Sequence, residues 1–192
     1  MAAGVTLFAR RGFGGTGVRE IAAEAGVNLS SVGYYFGSKL GLLQAVIDDT
    51  FERYAELVRR CFGGDGTVEE RVRRYYRELV QLMRARHDQF RITLSELHHE
   101  TPELAEHRAE TLKALVLPEA MPFVSAATRA APRELTPDIV GPLLPALAWM
   151  HFMFEPVHQR VSGVAHDDAF HDQLADQLAS FALHGLTGSP DA

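Results

Sequence analysis

Apolar residues recur at three- and four-residue intervals along nearly the whole chain, and no run alternates with period two. The spacing predicts an all-α protein of about nine helices. A short first helix over 2–11 buries Val5 and Phe8 and stops at Gly12. Thr16 is the expected N-cap of a second helix through Ala25, with Gly26 suited to a left-handed position just past its end. Asn28 or Ser30 caps a third that ends near Phe36. Ser38 caps a long fourth helix, Lys39 to Phe62, which carries Leu42, Val46, Phe51, Tyr54, Leu57, Val58 and Phe62 inward. Gly63-Gly64-Asp65-Gly66 breaks it.

Thr67 opens a helix with Val68, Val72, Tyr75, Leu79 and Met83 on one stripe. Asp88 to Glu100 reads as another, with Phe90, Leu94 and Leu97 inward. Thr101-Pro102 is a start signal for a helix to about Leu117, where Pro118 and Pro122 bend or end it. Residues 130–136 read as a loop. A helix from Pro137 to about Val161 is expected to be irregular at Gly141, Pro142, Pro145 and Pro156. The last runs from Asp168 to about His184, with Phe170, Leu174, Leu178 and Phe181 on one face. No repeat and no Pro/Gly-rich linker interrupts the series.

Composition narrows the class. The 192 residues are 46% apolar and 23% charged, ordinary for a globular chain. A single cysteine, Cys61, excludes an internal disulfide framework and a Cys-rich zinc cluster, and fits a cytoplasmic protein. The longest stretch without Asp, Glu, Lys or Arg is Ile139 to Phe154, shorter than the roughly 20 residues that span a bilayer. Met1 to Ala9 lacks the basic region and cleavage site of a signal peptide. No membrane partner is expected.

The net charge of −6 argues against nucleic acid until it is divided along the chain. Residues 1–46 hold Arg10, Arg11, Arg19 and Lys39 against Glu20 and Glu24, a balance of +2. The remaining residues carry −8. This asymmetry points to a small polyanion-facing head on a larger acidic body.

Residues 16–36 give helix, tight turn, helix, with Ala22 small at the crossing and Ile21 and Val32 inward. In a helix-turn-helix the second helix enters the major groove with its N-terminal residues on base edges. Leu29, Ser30 and Ser31 stand at that leading end: the hydroxyls can donate or accept, and Leu can touch a thymine methyl. Tyr34, Tyr35, Thr16, Arg19 and Lys39 are placed to position the backbone. A compact helical pair with no nucleic-acid role has the same spacing, so spacing alone leaves both readings open.

The residues themselves go further. Leu7-Phe8-Ala9-Arg10-Arg11-Gly12-Phe13, Thr16, Val18-Arg19-Glu20-Ile21-Ala22, Ala25-Gly26-Val27 and Tyr34-Tyr35-Phe36-Gly37-Ser38-Lys39 closely resemble the N-terminal domain of the TetR family of bacterial transcriptional regulators. The resemblance covers about a quarter of the chain. It implies a cytoplasmic homodimer, two heads on a palindromic double-stranded DNA operator, and a small-molecule effector that releases a repressor. It divides the chain into a DNA-binding domain, 1–48, and an effector-binding and dimerisation domain, 49–192. Carried residue by residue, DNA contacts fall on Thr16, Arg19, Asn28, Leu29, Ser30, Ser31, Gly33, Tyr34, Tyr35 and Lys39.

Two positions depart from the pattern. Gly33 stands where many members have Tyr, which removes a phosphate contact and loosens the helix by about 1 kcal/mol relative to Ala. Gly17 stands where Ser or Thr is common, leaving the capping role to Thr16. Members also commonly have residues before the first helix, whereas Met1 already lies inside the pattern; the reading frame is expected to continue upstream.

The body matches no motif. Its aromatic and Met residues give an effector-pocket set of Tyr54, Tyr75, Met83, Phe90, Met121, Trp149 and Met150, although such stripes equally make a core or an interface. In the resembling family the last two long helices form the dimer, a role that fits Phe170, Leu174, Leu178 and Phe181. Glu96-x-x-His99 and Glu155-x-x-His158 have the spacing of di-iron bundles, yet 15 Glu and nine His yield about 0.7 such pairs by chance. Neither a metal nor another cofactor is expected. Ser95 and His98 lack an orienting third group, and the 63–66 glycines lack the Lys and Ser/Thr of a P-loop, so no enzyme is expected. The alternatives are a helical ligand-binding or di-iron enzyme bundle with a vestigial head and an architectural DNA-binding factor without an effector.

Overall fold

The computed structural model describes residues 1–95, 102–132 and 134–188. Its helices are α1 (Ala2–Arg11), α2 (Val18–Glu24), α3 (Leu29–Phe36), α4 (Lys39–Phe62), α5 (Val68–Ala85), α6 (His87–Ser95), α7 (Pro102–Thr111), α8 (Leu117–Ala130), α9 (Pro137–Ser162) and α10 (Asp168–Thr187). A π-helical turn, Leu112–Val116, joins α7 to α8. Counting that junction as one rod, the described residues form nine helices and no strand. None is long and apolar enough to cross a membrane.

Prolines account for two differences from the expected elements. Pro118 cannot donate to the carbonyl four residues back, and the wide turn just before it takes up the misfit. The helix therefore resumes and runs through Pro122 to Ala130. α9 is unbroken despite Pro142, Pro145 and Pro156, and burial of Leu144, Pro145, Ala148 and Phe152 holds it. The expected cap at Thr101 and the inward Leu97 lie outside the described residues.

The chain divides into two compact units. One comprises Met1–Arg53 with Arg86–Thr111, the other Tyr54–Ala85 with Leu112–Ala192. The expected division at 48/49 differs: the border lies further along α4, and α6 and α7 belong to the first unit. In that unit α6 packs on α1 and α2 on α3. Leu7, Phe8, Ile21, Ala22, Val32, Leu42, Leu43, Val46 and Ile47 are its core, while Val5, expected inside, is half-buried. Polar ties explain why the later segment belongs there: Arg86 pairs with Asp49 at 2.6 Å, and His107 Nε2 lies 2.8 Å from Asp48 Oδ1.

In the second unit Thr67 and Glu70 cap α5 reciprocally: Thr67 N–H donates to Glu70 Oε2 (2.8 Å), and Glu70 N–H to Thr67 Oγ1 (3.2 Å). Val72, Tyr75, Tyr76, Leu79, Val80 and Met83 are its buried face. α10 packs against α5. Asp167 caps α10 by accepting from Phe170 N–H, and Ala175, Ala179 and Ala182 on its buried side permit close approach. Arg84 pairs with Asp168 across the two helices.

Imidazoles gather where α9 meets the start of α10. His151 stacks on His166 and Phe170 at 5.3 and 5.6 Å between centroids and lies 5.4 Å from His158. Glu155 Oε1 is 3.2 Å from His166 Nδ1 and 3.9 Å from His171 Nε2. Burial first, then the neighbouring His166 and His158, holds the pKa of His151 down at about 4. The unfolded chain therefore binds a proton near pH 6.5 that the folded chain refuses until about pH 4. Stability from this group is complete above pH 6.5 and falls as the pH drops towards 4. The melting temperature is expected to drop by about 3 °C between pH 7 and 5, after discounting for the half-exposed surroundings. His151→Gln should flatten that slope in a pH series of thermal melts; an equal slope in the variant refutes the assignment.

Candidate nucleic-acid interface

Val27 N–H donates to Ala22 O at 3.0 Å across the turn between α2 and α3, and Gly26 supplies the φ of 66° that the turn needs. Val32 is the one buried residue of α3. At the next junction Ser38 Oγ accepts from Gly41 N–H at 3.0 Å, capping α4. A Cβ on Gly41 would lie 2.0 Å from the Phe36 carbonyl, so no larger residue fits that approach.

The rest of α3 faces outward. Tyr34 and Tyr35 are 84% and 74% exposed, with rings edge-on at 5.1 Å. Leu29, Ser30 and Gly33 are exposed and Ser31 is half-buried. Asn28 occupies the N-cap position of α3, but its side chain makes no capping bond and stands exposed. This gives one continuous surface of two phenols, two hydroxyls and a Leu. Burial in this chain does not account for it.

Two of the expected contact residues make bonds inside the head. Thr16 is 2% exposed, and its hydroxyl donates to Gly12 O (2.8 Å), with Leu7 O at 3.3 Å. It neither caps α2 nor presents a donor outward. Gly17 holds the N-cap position, and Glu20 accepts from its N–H at 2.8 Å. Lys39 Nζ donates to Phe13 O (2.8 Å) and Thr16 O (2.9 Å) and sits 4.2 Å from the Phe13 ring centroid. Arg11, whose pairing the sequence reading missed, lies 2.6 Å from Glu20. The Gly17-x-x-Glu20 spacing was the available signal for this local network. The Gly17 N–H foremost, with Arg11 beside it, holds the Glu20 carboxyl below its usual range. Of the head's four cations, Arg10 and Arg19 are exposed, and among the described residues neither stands in a salt bridge.

The pocket candidates separate. Tyr54, Tyr75 and Trp149 meet: the two hydroxyls are 2.8 Å apart, and the Tyr54 and Trp149 rings lie edge-on at 5.8 Å. Phe62, expected inward but not in the pocket set, stacks on Tyr75 (4.8 Å) and Phe123 (4.2 Å). Met83 is buried on α5, and Met121 is half-buried on α8. Phe90 is a core residue of the other unit, and Met150 is exposed, so neither joins the aromatic cluster. Phe170, Leu174 and Leu178 are half-buried and Phe181 is exposed. Among the described residues no group of three or more His, Cys, Asp or Glu is arranged to hold a metal ion. Glu96, His98 and His99 lie outside them, and Ser95 Oγ is spent on Ile92 O at 3.0 Å.

A tight helical pair with an outward, hydroxyl-rich second helix defines a helix-turn-helix DNA-binding head. Residues 1–46 match the family model of bacterial regulatory proteins, tetR family. The chain is 44% identical over 52 residues to the probable HTH-type transcriptional regulator YttP of Bacillus subtilis (strain 168). That match spans 27% of this chain and only 25% of the relative. The whole fold is similar to the transcriptional regulator FadR from Bacillus subtilis in complex with stearoyl-CoA, with a TM-score of 0.78 and 16% identity over 97% of this chain and 96% of that one. It is also similar to AibR in complex with isovaleryl coenzyme A and operator DNA, with a TM-score of 0.73 and 20% identity over 97% and 95% of the two chains.

Proposed function

We propose that the chain is a dimeric one-component transcriptional repressor, and not an enzyme, which leaves a palindromic operator when an acyl-CoA effector binds its second unit. The observation that carries the DNA reading is α3, whose exposed Leu29, Ser30, Tyr34 and Tyr35 are anchored by Val32 alone in a TetR-type head. Leu29, Ser30 and Ser31 read bases; Tyr34, Tyr35 and Arg19 hold phosphates. Two-fold pairing of heads makes the operator palindromic. The effector class is taken from the stearoyl-CoA and isovaleryl-CoA complexes of the two similar structures. The aromatic cluster of Tyr54, Phe62, Tyr75, Phe123 and Trp149 supplies the apolar surface that such a ligand needs.

A mobility-shift series with DNA from upstream of its own gene tests this reading. Binding should weaken with salt, and Tyr35→Ala should cost about tenfold across sequences, whereas Ser31→Ala should change base preference. Absence of salt-dependent binding to any palindromic segment refutes the regulator.

A further inference from the structure

The aromatic cluster of the second unit is short of hydrogen-bond acceptors. Tyr54 and Tyr75 are both buried, and their hydroxyls share one hydrogen bond at 2.8 Å. Whichever phenol donates, the other keeps an O–H with no acceptor among the described residues. Tyr76, in the same core, shows the satisfied state: its hydroxyl donates to Leu144 O at 2.9 Å. Trp149 lies edge-on to Tyr54, and its indole N–H is closed off from solvent without a partner. Two unspent donors therefore occur in one buried cluster, and buried polar groups are rarely left so.

The chemistry of the missing group follows from counting protons. A water or an alcohol would accept from these donors but bring O–H groups of its own, which moves the deficit instead of removing it. A carbonyl oxygen has only lone pairs. A carboxylate also accepts, but burial raises both phenols well above their usual range, which marks the site as hostile to anions. The cation seen on this cluster is Arg71, whose guanidinium lies 4.7 Å over the Phe123 ring, with Phe62 stacked on both that ring and Tyr75.

We propose that Trp149 Nε1 and the spare hydroxyl of the Tyr54–Tyr75 pair receive a neutral acyl carbonyl oxygen, so that the effector is recognised as an ester or thioester and not as the free acid. The inference rests on the effector role proposed above and adds which atoms read the ligand and which functional group they require.

The chain has one tryptophan, so its intrinsic fluorescence reports on Trp149 alone. The full chain is titrated with decanoyl-CoA, with decyl-CoA (a thioether that has a methylene in place of the carbonyl) and with decanoate, by fluorescence and calorimetry. Decanoyl-CoA should bind at least about tenfold more tightly than the thioether and shift the tryptophan emission, with decanoate weakest. Trp149→Phe and Tyr75→Phe should each narrow the thioester-to-thioether ratio by weakening decanoyl-CoA more than the thioether, and a helical circular-dichroism spectrum and a cooperative melt like the parent's verify that the variants fold. Equal affinities for the two CoA derivatives, an unchanged ratio in Trp149→Phe, tighter binding of decanoate, or no binding of any probe overturns the assignment. Operator release by decanoyl-CoA with equal probe affinities spares the effector reading and removes only the carbonyl contact. Failure of every probe both to bind and to release operator removes the acyl-CoA reading as well.

Discussion

Lys39→Met should loosen the head and weaken operator binding by about a hundredfold while leaving the salt dependence nearly unchanged. The ammonium reaches across the first unit to Phe13 O and Thr16 O, at 2.8 and 2.9 Å, and covers the Phe13 ring. Both carbonyls belong to the connection between α1 and α2, so one side chain at the start of α4 fixes the entry into the helix-turn-helix. A hydrogen bond to a charged group is worth about 1.5–3 kcal/mol. Losing two, with partial relaxation, costs about 3 kcal/mol, which is about a hundredfold in a coupled equilibrium.

The resemblance implied a different role, a phosphate ligand, and the two roles separate in one experiment. Neutralising one phosphate contact in each of two heads lowers the salt slope by about 1.8, or 0.9 per head, and leaves the fold alone. Arg19→Ala, at an exposed cation, should behave in that way. Lys39→Met should instead lower the melting temperature of the protein without DNA. A loss of about 1.8 from the slope with no change in melting assigns Lys39 to phosphate and refutes the clamp.

Local constraints explain which parts of the head were legible in sequence. The turn at Gly26, the cap at Ser38 and the inward Val32 each depend on residues a few positions apart. Thr16 was misassigned because its hydroxyl chooses between the α2 N-terminus and the carbonyls of Gly12 and Leu7, and local pattern cannot rank a cap against a back-bond to an earlier helix. The place of α6 and α7 in the first unit was hidden for the same reason, since it follows from Asp48 and Asp49 meeting His107 and Arg86 across long sequence separations. In the body, two neighbouring members of the expected pocket set part company: Trp149 meets Tyr54, whereas Met150, one residue on, turns by about 100° around the helix and faces out. Helical phase there is set by which side of α9 the core occupies, and three prolines and a uniformly apolar run conceal it.

That outward side of α9 carries the second large expectation: Phe154→Arg combined with Phe181→Arg should make the protein monomeric and lower operator affinity by about a thousandfold. Leu143, Met150, Phe154, Val157 and Val161 are all exposed, at steps of seven, four, three and four, the rhythm of a seam between helices. Val161 is 83% exposed and Phe181, on α10, 70%, far more apolar surface than one chain has reason to leave in water. The half-buried Phe170, Leu174 and Leu178 extend the α10 side of that surface. In the two-headed operator complex proposed above, a second copy of the same chain is the expected partner of this face, and each large side chain it covers would contribute about 1.5–3 kcal/mol. Joining two heads makes the second DNA contact intramolecular, a gain of about 10²–10⁴ in affinity that disappears with the dimer. Two arginines from each copy would place like charges in the seam, so association should fail while each chain stays folded. Sedimentation equilibrium together with a mobility shift reads both effects. A variant that still sediments as a dimer, or a monomer that binds operator as tightly as the parent, removes this face from the mechanism.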